Sequence, residues 1–257
     1  MPQPRCPFHA GESRKIKLRQ DGEIRLLIAL ASLGGAIDAA NDDASVRCVL
    51  IQANGDMFTA GNDLADFAAV GAGDPEAQKV QREGNPLLTA LGRSKKPLVA
   101  AVQGRAVGVG VTMLLHCDLV FVAEDALLTT PFVNLALLPE AASSILLPAR
   151  IGHARAFSMF VLGEAITGRQ AEAWGIANAA LPAAEVQARA RAAAEAVAAR
   201  PPASVAITKS LMRDPAALAA RMEEEGRYFI SQLASAEAKE AFAAFAEKRA
   251  PDFSKVA

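Results

Sequence analysis

Several things are scarce in this chain. It has three cysteines, Cys6, Cys48 and Cys117, with no paired spacing and no CxxC. An odd, scattered set argues against a disulfide framework and for a reducing compartment. His9 and His153 have no companions at ligand spacing, and no metal site is expected. Neither sign of charge is in excess: 27 Lys and Arg stand against 28 Asp and Glu, a net −1. That balance gives no electrostatic reason to expect nucleic acid or an anionic membrane as partner. The basic run Arg14-Lys15-Ile16-Lys17 is short and reads as a solvated strand start. No apolar run is long enough to span a bilayer; residues 26–37 come nearest and contain Gly34-Gly35. Met1-Pro2-Gln3-Pro4-Arg5 lacks the apolar segment of a signal peptide. These absences point to a soluble, cytoplasmic protein.

Apolar mass, by contrast, is plentiful. At 52% hydrophobic, 257 residues can hold a sizeable core, as one large domain or two small ones. Residues 1–13 read as a flexible leader rich in Pro, Gly and polar residues. Strands are expected at 15–18 and 23–29 around Asp21-Gly22, and a helix at 34–41. Residues 47–52, 97–103 and 119–123 carry Val, Leu and Ile without alternation, the pattern of buried strands. Helical patterns lie between them, at 74–91 and 111–117. That order implies parallel pairing through crossovers, an α/β fold.

From residue 154 the chain turns Ala-rich and helical, at 154–162, 171–174, 183–200, 203–213 and 215–249, with Pro201-Pro202 and Asp214-Pro215 as breaks. This divides the chain into a leader (1–13), a core (14–200) and a helical region (201–257). The last has few large apolar residues and must bury them on the core or on another subunit.

Two glycine-marked turns carry the chemistry. One is Phe58-Thr59-Ala60-Gly61-Asn62-Asp63-Leu64, the other Gly104-Arg105-Ala106-Val107-Gly108-Val109-Gly110. Each follows an apolar run and precedes a helical pattern, so each can present free backbone N–H groups at a helix N-terminus. Converging on one point, they would form a two-donor pocket for an oxyanion, suited to an acyl thioester. Close backbone packing accounts for glycines of this kind equally well. A dinucleotide fingerprint fails because its third glycine would fall at Met113.

Taken together and in order, these stretches resemble the crotonase (enoyl-CoA hydratase/isomerase) superfamily. The similarity runs from Val49-Leu50-Ile51 through the first turn, then from Ala101-Val102-Gln103-Gly104 through the second turn to Cys117-Asp118-Leu119. It continues through Gly152-His153-Ala154-Arg155-Ala156, Gly163-Glu164 and Trp174-Gly175-Ile176-Ala177-Asn178 to Ala244-Phe245-Ala246-Glu247-Lys248-Arg249.

The resemblance implies a crotonase-like ββα spiral with a C-terminal helical trimerisation region, assembled as a homotrimer or a hexamer of two trimers. It implies an acyl-CoA thioester as substrate, with no further cofactor. The thioester oxygen would sit between the backbone N–H groups of Asn62 and Val109. Ala60, Asp63, Leu64, Phe67, Gly108, Thr112 and Phe132 would line the substrate, Leu64 near the adenine. Lys248 would approach the CoA phosphates, or stand as a solvated helix-end lysine. Asp63 reads equally as a helix cap.

Side chains separate the reactions of this superfamily. The two glutamates of its hydratases would fall at Thr112 and Phe132, neither of which is a carboxylate. Leu138-Pro139-Glu140-Ala141-Ala142-Ser143-Ser144 instead resembles the peroxisomal-type Δ3,Δ2-enoyl-CoA isomerases and their bacterial relatives, which makes Glu140 the catalytic base. One carboxylate lined by Phe132 and Phe67 suffices to move a proton between C2 and C4. Pro followed by Glu is also a favourable helix start. His116 falls on a buried pattern and reads as structural.

The stretch between early strand and first helix that flanks CoA in the family has no counterpart in Ile28-Ala29-Leu30-Ala31-Ser32-Leu33-Gly34-Gly35. Two alternatives to the isomerase are therefore an atypical hydratase and a non-catalytic acyl-CoA-binding protein.

Overall fold

A computed structural model describes residues 24–27, 30–76 and 85–256. The expected leader at 1–13, the strand at 15–18 and the middle of the 74–91 helix lie outside the described residues.

Five strands form one parallel sheet. They are β1 (Ile24–Leu27), β2 (Cys48–Gln52), β3 (Leu98–Val102), β5 (Leu119–Ala123) and β8 (Ala179–Leu181), paired in that spatial order. Val49 pairs with Leu98, Val99 with Leu119 and Phe121 with Ala179. Every residue of β3 is buried, as are all but one in each of β2 and β5. Such strands are covered on both faces, which is why their apolar residues run together instead of alternating.

The cover on one face is α8 (Ala183–Ala198), which lies across β2, β3 and β5. It buries Val186, Ala190, Ala193, Ala194 and Ala198, a helical stripe of small side chains that lets the helix approach the sheet closely. Elsewhere α1 (Leu30–Asp42) packs on α3 (Pro86–Arg93), and Arg93 reaches back to Asp38 in an exposed ion pair at 2.6 Å.

A second, small sheet went unread in the sequence because its strands are two or three residues long. Its strands are β4 (Arg105–Val107), β6 (Leu127–Thr129) and β7 (Ile166–Thr167). β4 and β6 are parallel, and β6 and β7 antiparallel. Repeated strand pairs followed by helices, feeding two sheets, make up the ββα spiral.

The helical half is more segmented than its composition suggests. Residues 154–162 divide into α6 (His153–Phe157) and a π-helical turn, Ser158–Leu162. The continuous helix expected at 215–249 is two helices, α10 (Pro215–Leu233) and α11 (Ala236–Glu247). The break is chemical: Ser235 caps α11 by accepting the N–H of Ala238 on its side-chain oxygen at 3.0 Å. Before them come α7 (Gly168–Trp174) and α9 (Pro202–Leu211).

These C-terminal helices fold back on the core. α10 packs against α3 and against α2 (Leu64–Gly71), and α11 also packs against α2. On α9, Lys209 is buried and bridges Asp118 Oδ2 at 2.7 Å and the Lys96 carbonyl at 2.8 Å. No helix among the described residues is long and apolar enough to cross a membrane.

Candidate active site

The two glycine turns meet. Phe58 and Thr59 donate their backbone N–H groups to the Arg105 carbonyl at 3.1 and 3.0 Å, and Val107 donates to Thr59 at 3.2 Å. Gly108 then donates to the Thr129 carbonyl of β6 at 2.9 Å. The first turn is thus tied to β4, and β4 to the second sheet.

Two glycines make the approach possible. Gly61 has φ +89°, and a Cβ there would lie 2.9 Å from the Val107 carbonyl oxygen. Gly108 has φ 55° and ψ −116°, a conformation that L side chains rarely adopt, and it caps the short helix α4 (Val109–Thr112). Val109 is therefore the first helical residue, and its N–H is one of those a helix leaves without an internal partner. Among the described residues, neither the Asn62 nor the Val109 backbone N–H has a hydrogen-bond acceptor.

Glu140 lies beside the first turn. Its Oε1 accepts from the Asn62 side-chain amide at 3.4 Å, and only 8% of the residue is exposed. Burial, then the nearby Glu225 carboxylate, push its carboxyl from 4.5 up to about 7, while the Asn62 amide holds it down. Glu140 does not begin a helix. The next helix, α5 (Ser143–Ile151), starts three residues later, so the helix-start explanation of Pro139-Glu140 does not apply.

Between them, Ala141 (φ 63°) and Ala142 (φ 55°) are both left-handed, a conformation costing an L-residue about 1–2 kcal/mol each. This turn is braced from two sides. Ala142 and Ser144 donate their N–H groups to Glu225 at 2.6 and 3.0 Å. On the other side, the Ala141 carbonyl lies 2.7 Å from His116 Nε2. A carbonyl can only accept, so Nε2 carries the proton. Nδ1 then accepts from Arg213 at 2.8 Å. Burial, with Arg213 and the more distant Arg150 and Lys209, pushes His116 down to about 4, which fixes it as the neutral ring. His116 is structural, as its sequence pattern implied.

The other predicted positions divide into two groups. Phe132 is buried, its ring 6.1 Å from that of Phe160, and a Cβ at Gly108 would lie 4.0 Å from Phe132 Cε1, so it borders the second turn. Thr112 is buried with its hydroxyl 3.5 Å from the Val109 carbonyl. Phe67 meets Phe229 of α10 edge-on at 5.4 Å. Asp63 caps α2, accepting the Ala65 N–H at 2.9 Å, with Leu64 the first residue of that helix. Ala60 is exposed on the first turn. Lys248 is the left-handed, exposed C-cap of α11, and no contact ties it to the two turns among the described residues.

Sequence reasoning did not find Glu225, which sits in the run Arg221-Met222-Glu223-Glu224-Glu225. In the sequence that run reads as a solvated charged face. Only its spacing from Phe229, one helical turn on and also buried, marks it as inward.

Comparison with known proteins gives the family of the chain. The family profile described as enoyl-CoA hydratase/isomerase matches residues 28–256. A probable enoyl-CoA hydratase of Bacillus subtilis (strain 168) is 31% identical over 227 residues, covering 87% of this chain and 88% of that protein. Enoyl-CoA delta isomerase 2 of Rattus norvegicus is 35% identical over 182 residues, 69% of this chain and 46% of that protein. The crystal structure of an enoyl-CoA hydratase/isomerase from Pseudoalteromonas atlantica T6c superposes with a TM-score of 0.83 at 36% identity, covering 94% of this chain and 100% of that one. The converging turns, the two-sheet spiral and the span of these matches agree, and the chain belongs to the enoyl-CoA hydratase/isomerase family.

Proposed function

We propose that this protein moves the double bond of an enoyl-CoA from the 3- to the 2-position, with Glu140 as the proton carrier. One observation supports this above all. A buried carboxylate touches the turn that offers one oxyanion donor, while positions 112 and 132 hold no acid.

In this reading the thioester oxygen lies between the N–H groups of Asn62 and Val109. Glu140 takes a proton from C2 of the 3-enoyl chain. The C–H electron pair becomes the C1–C2 double bond of a dienolate, and the carbonyl pair moves onto oxygen, where the two donors stabilise it. Glu140 then returns the proton to C4; the C2–C3 double bond forms and the carbonyl is restored. A carboxyl near 7 suits both halves of the step at neutral pH.

A hydratase needs one group to activate water and another to deliver a proton. Thr112 faces its own helix, Phe132 has no ionisable group, and Glu225 is occupied by two backbone N–H groups. Ala60 and Asp63 remain proposed substrate contacts, Leu64 a contact near the adenine and Lys248 one to the CoA phosphates.

We read the helices after residue 200 as the assembly surface of a homotrimer or of a hexamer of two trimers. Ile207, Leu211 and Met212, in and just after α9, leave large apolar side chains exposed.

The test is to incubate the purified protein with a 3-enoyl-CoA and resolve the products. The 2-enoyl thioester is expected to form first. Accumulation of a 3-hydroxyacyl-CoA as the first product would replace this reading with hydration, and tight acyl-CoA binding without turnover would replace it with a binding function.

A further inference from the structure

Glu140 stands on a turn that would not hold its shape unaided. Two successive left-handed alanines follow it, and neither gains the steric relief that glycine would give. Beside the His116 contact to the Ala141 carbonyl, the bracing comes from α10, which is remote in sequence. Glu225 is 7% exposed, and its Oε2 and Oε1 accept the Ala142 and Ser144 N–H groups at 2.6 and 3.0 Å. With both oxygens accepting, the anionic carboxylate is the form that fits.

We propose, resting on the isomerase reading above, that Glu225 is a positioning residue: by clamping the Ala142 and Ser144 N–H groups it fixes the left-handed turn that presents Glu140. It touches no reacting atom; it acts through the turn, and its nearby negative charge also makes Glu140 more basic.

Among the described residues, the charged surroundings are few. Glu140 faces Glu225 from α10 and the neutral amide of Asn62 from the first turn. Glu225 has Arg221 one turn back on its own helix, itself 2.9 Å from Glu224. On the opposite side of the turn stands neutral His116, with Arg213 behind it. Burial raises the Glu225 carboxyl, and its N–H donors and Arg221 lower it.

Two substitutions separate its two effects. Glu225→Gln can accept one N–H but turns an NH2 group toward the other, and it removes the charge. Glu225→Asp keeps the charge but is one methylene too short to span both donors. Misplacing Glu140 by about an ångström in either variant is expected to lower kcat roughly 10- to 100-fold, with KM little changed. The rising limb of the kcat profile, where Glu140 ionises, should move to lower pH in Glu225→Gln and stay in place in Glu225→Asp. A merely structural role would lower the melting temperature of both and move neither limb.

The deciding measurement is a 13C titration of the Glu140 carboxyl, read by NMR in wild type and both variants, beside kcat on a 3-enoyl-CoA. A lower Glu140 pKa in Glu225→Gln, with kcat reduced in both, is the expected result. An unmoved titration, or wild-type kcat per folded site in both variants, overturns the proposal. If Glu225→Gln does not fold, reduced kcat with an unmoved limb in Glu225→Asp supports the clamp, and wild-type kcat there overturns it. The titration does not depend on which reaction the protein runs. A wild type that fails to isomerise while Glu225→Gln still moves the Glu140 titration therefore overturns the isomerase reading and leaves the coupling in place.

Discussion

Glu140→Gln is expected to lower kcat for double-bond migration about 10³-fold, within the range carried by one positioned acid–base group, with KM changed only a few-fold. Gln is nearly the same shape and keeps an oxygen for the Asn62 amide, so the loss isolates proton transfer from fit. In the wild type, kcat/KM should rise with pH through about 7 and then level, because the ionised carboxylate takes the first proton.

The same variant should be more stable than the wild type, with a definite pH dependence. The Glu140 carboxyl is raised from 4.5 to about 7 in the folded protein. Between those values the folded chain keeps a proton that the unfolded chain releases. The carboxyl's contribution to stability is therefore complete below about pH 4.5 and is lost as pH rises through 7. Gln avoids this loss. Denaturant unfolding should show Glu140→Gln ahead by roughly 3 kcal/mol at pH 8 and within about 0.5 kcal/mol of wild type near pH 4.5. Equal stability at both pH values would mean that Glu140 is not a desolvated acid.

Val109→Pro is expected to fold and to lose about 10²–10³ in kcat, the cost of one oxyanion donor. A backbone N–H can be deleted only by proline, and here the fold permits it. Val109 is the first residue of α4, where proline is tolerated, and its N–H has no acceptor among the described residues. The ψ of −116° at Gly108 lies outside the α region that proline disfavours in its predecessor. The Val109 side chain is buried, so a stability loss of about 1 kcal/mol from repacking is expected. Wild-type kcat in a folded Val109→Pro protein would remove this N–H from the mechanism.

What the sequence made legible follows from the range of each interaction. The buried strands at residues 48–52, 98–102 and 119–123 were visible because burial on both faces leaves an unbroken apolar run. The turns were visible because the positive φ at Gly61 and Gly108 calls for glycine. Strands of two or three residues, such as Ile166–Thr167, leave no periodicity to read. The break at Ser235 was hidden in an Ala- and Glu-rich run whose helical propensity is high on both sides.

The brace behind Glu140 was illegible for a different reason. Glu225 is 85 positions away, His116 is 24, and Arg213 reaches His116 across 97. No local pattern records such contacts. Ala141 and Ala142 even argued against the turn they form, because the tertiary clamp overrides their backbone preference.

Whether one carboxylate carries the proton from C2 to C4 can be read from a 3-enoyl-CoA deuterated at both C2 positions. Because the same buried carboxylate takes the deuteron and returns it, deuterium is expected at C4 of the 2-enoyl product in wild-type protein, and no product at a comparable rate in Glu140→Gln. Product formed at the wild-type rate in Glu140→Gln, or C4 carrying only solvent hydrogen from the first turnover, would contradict a single carrier.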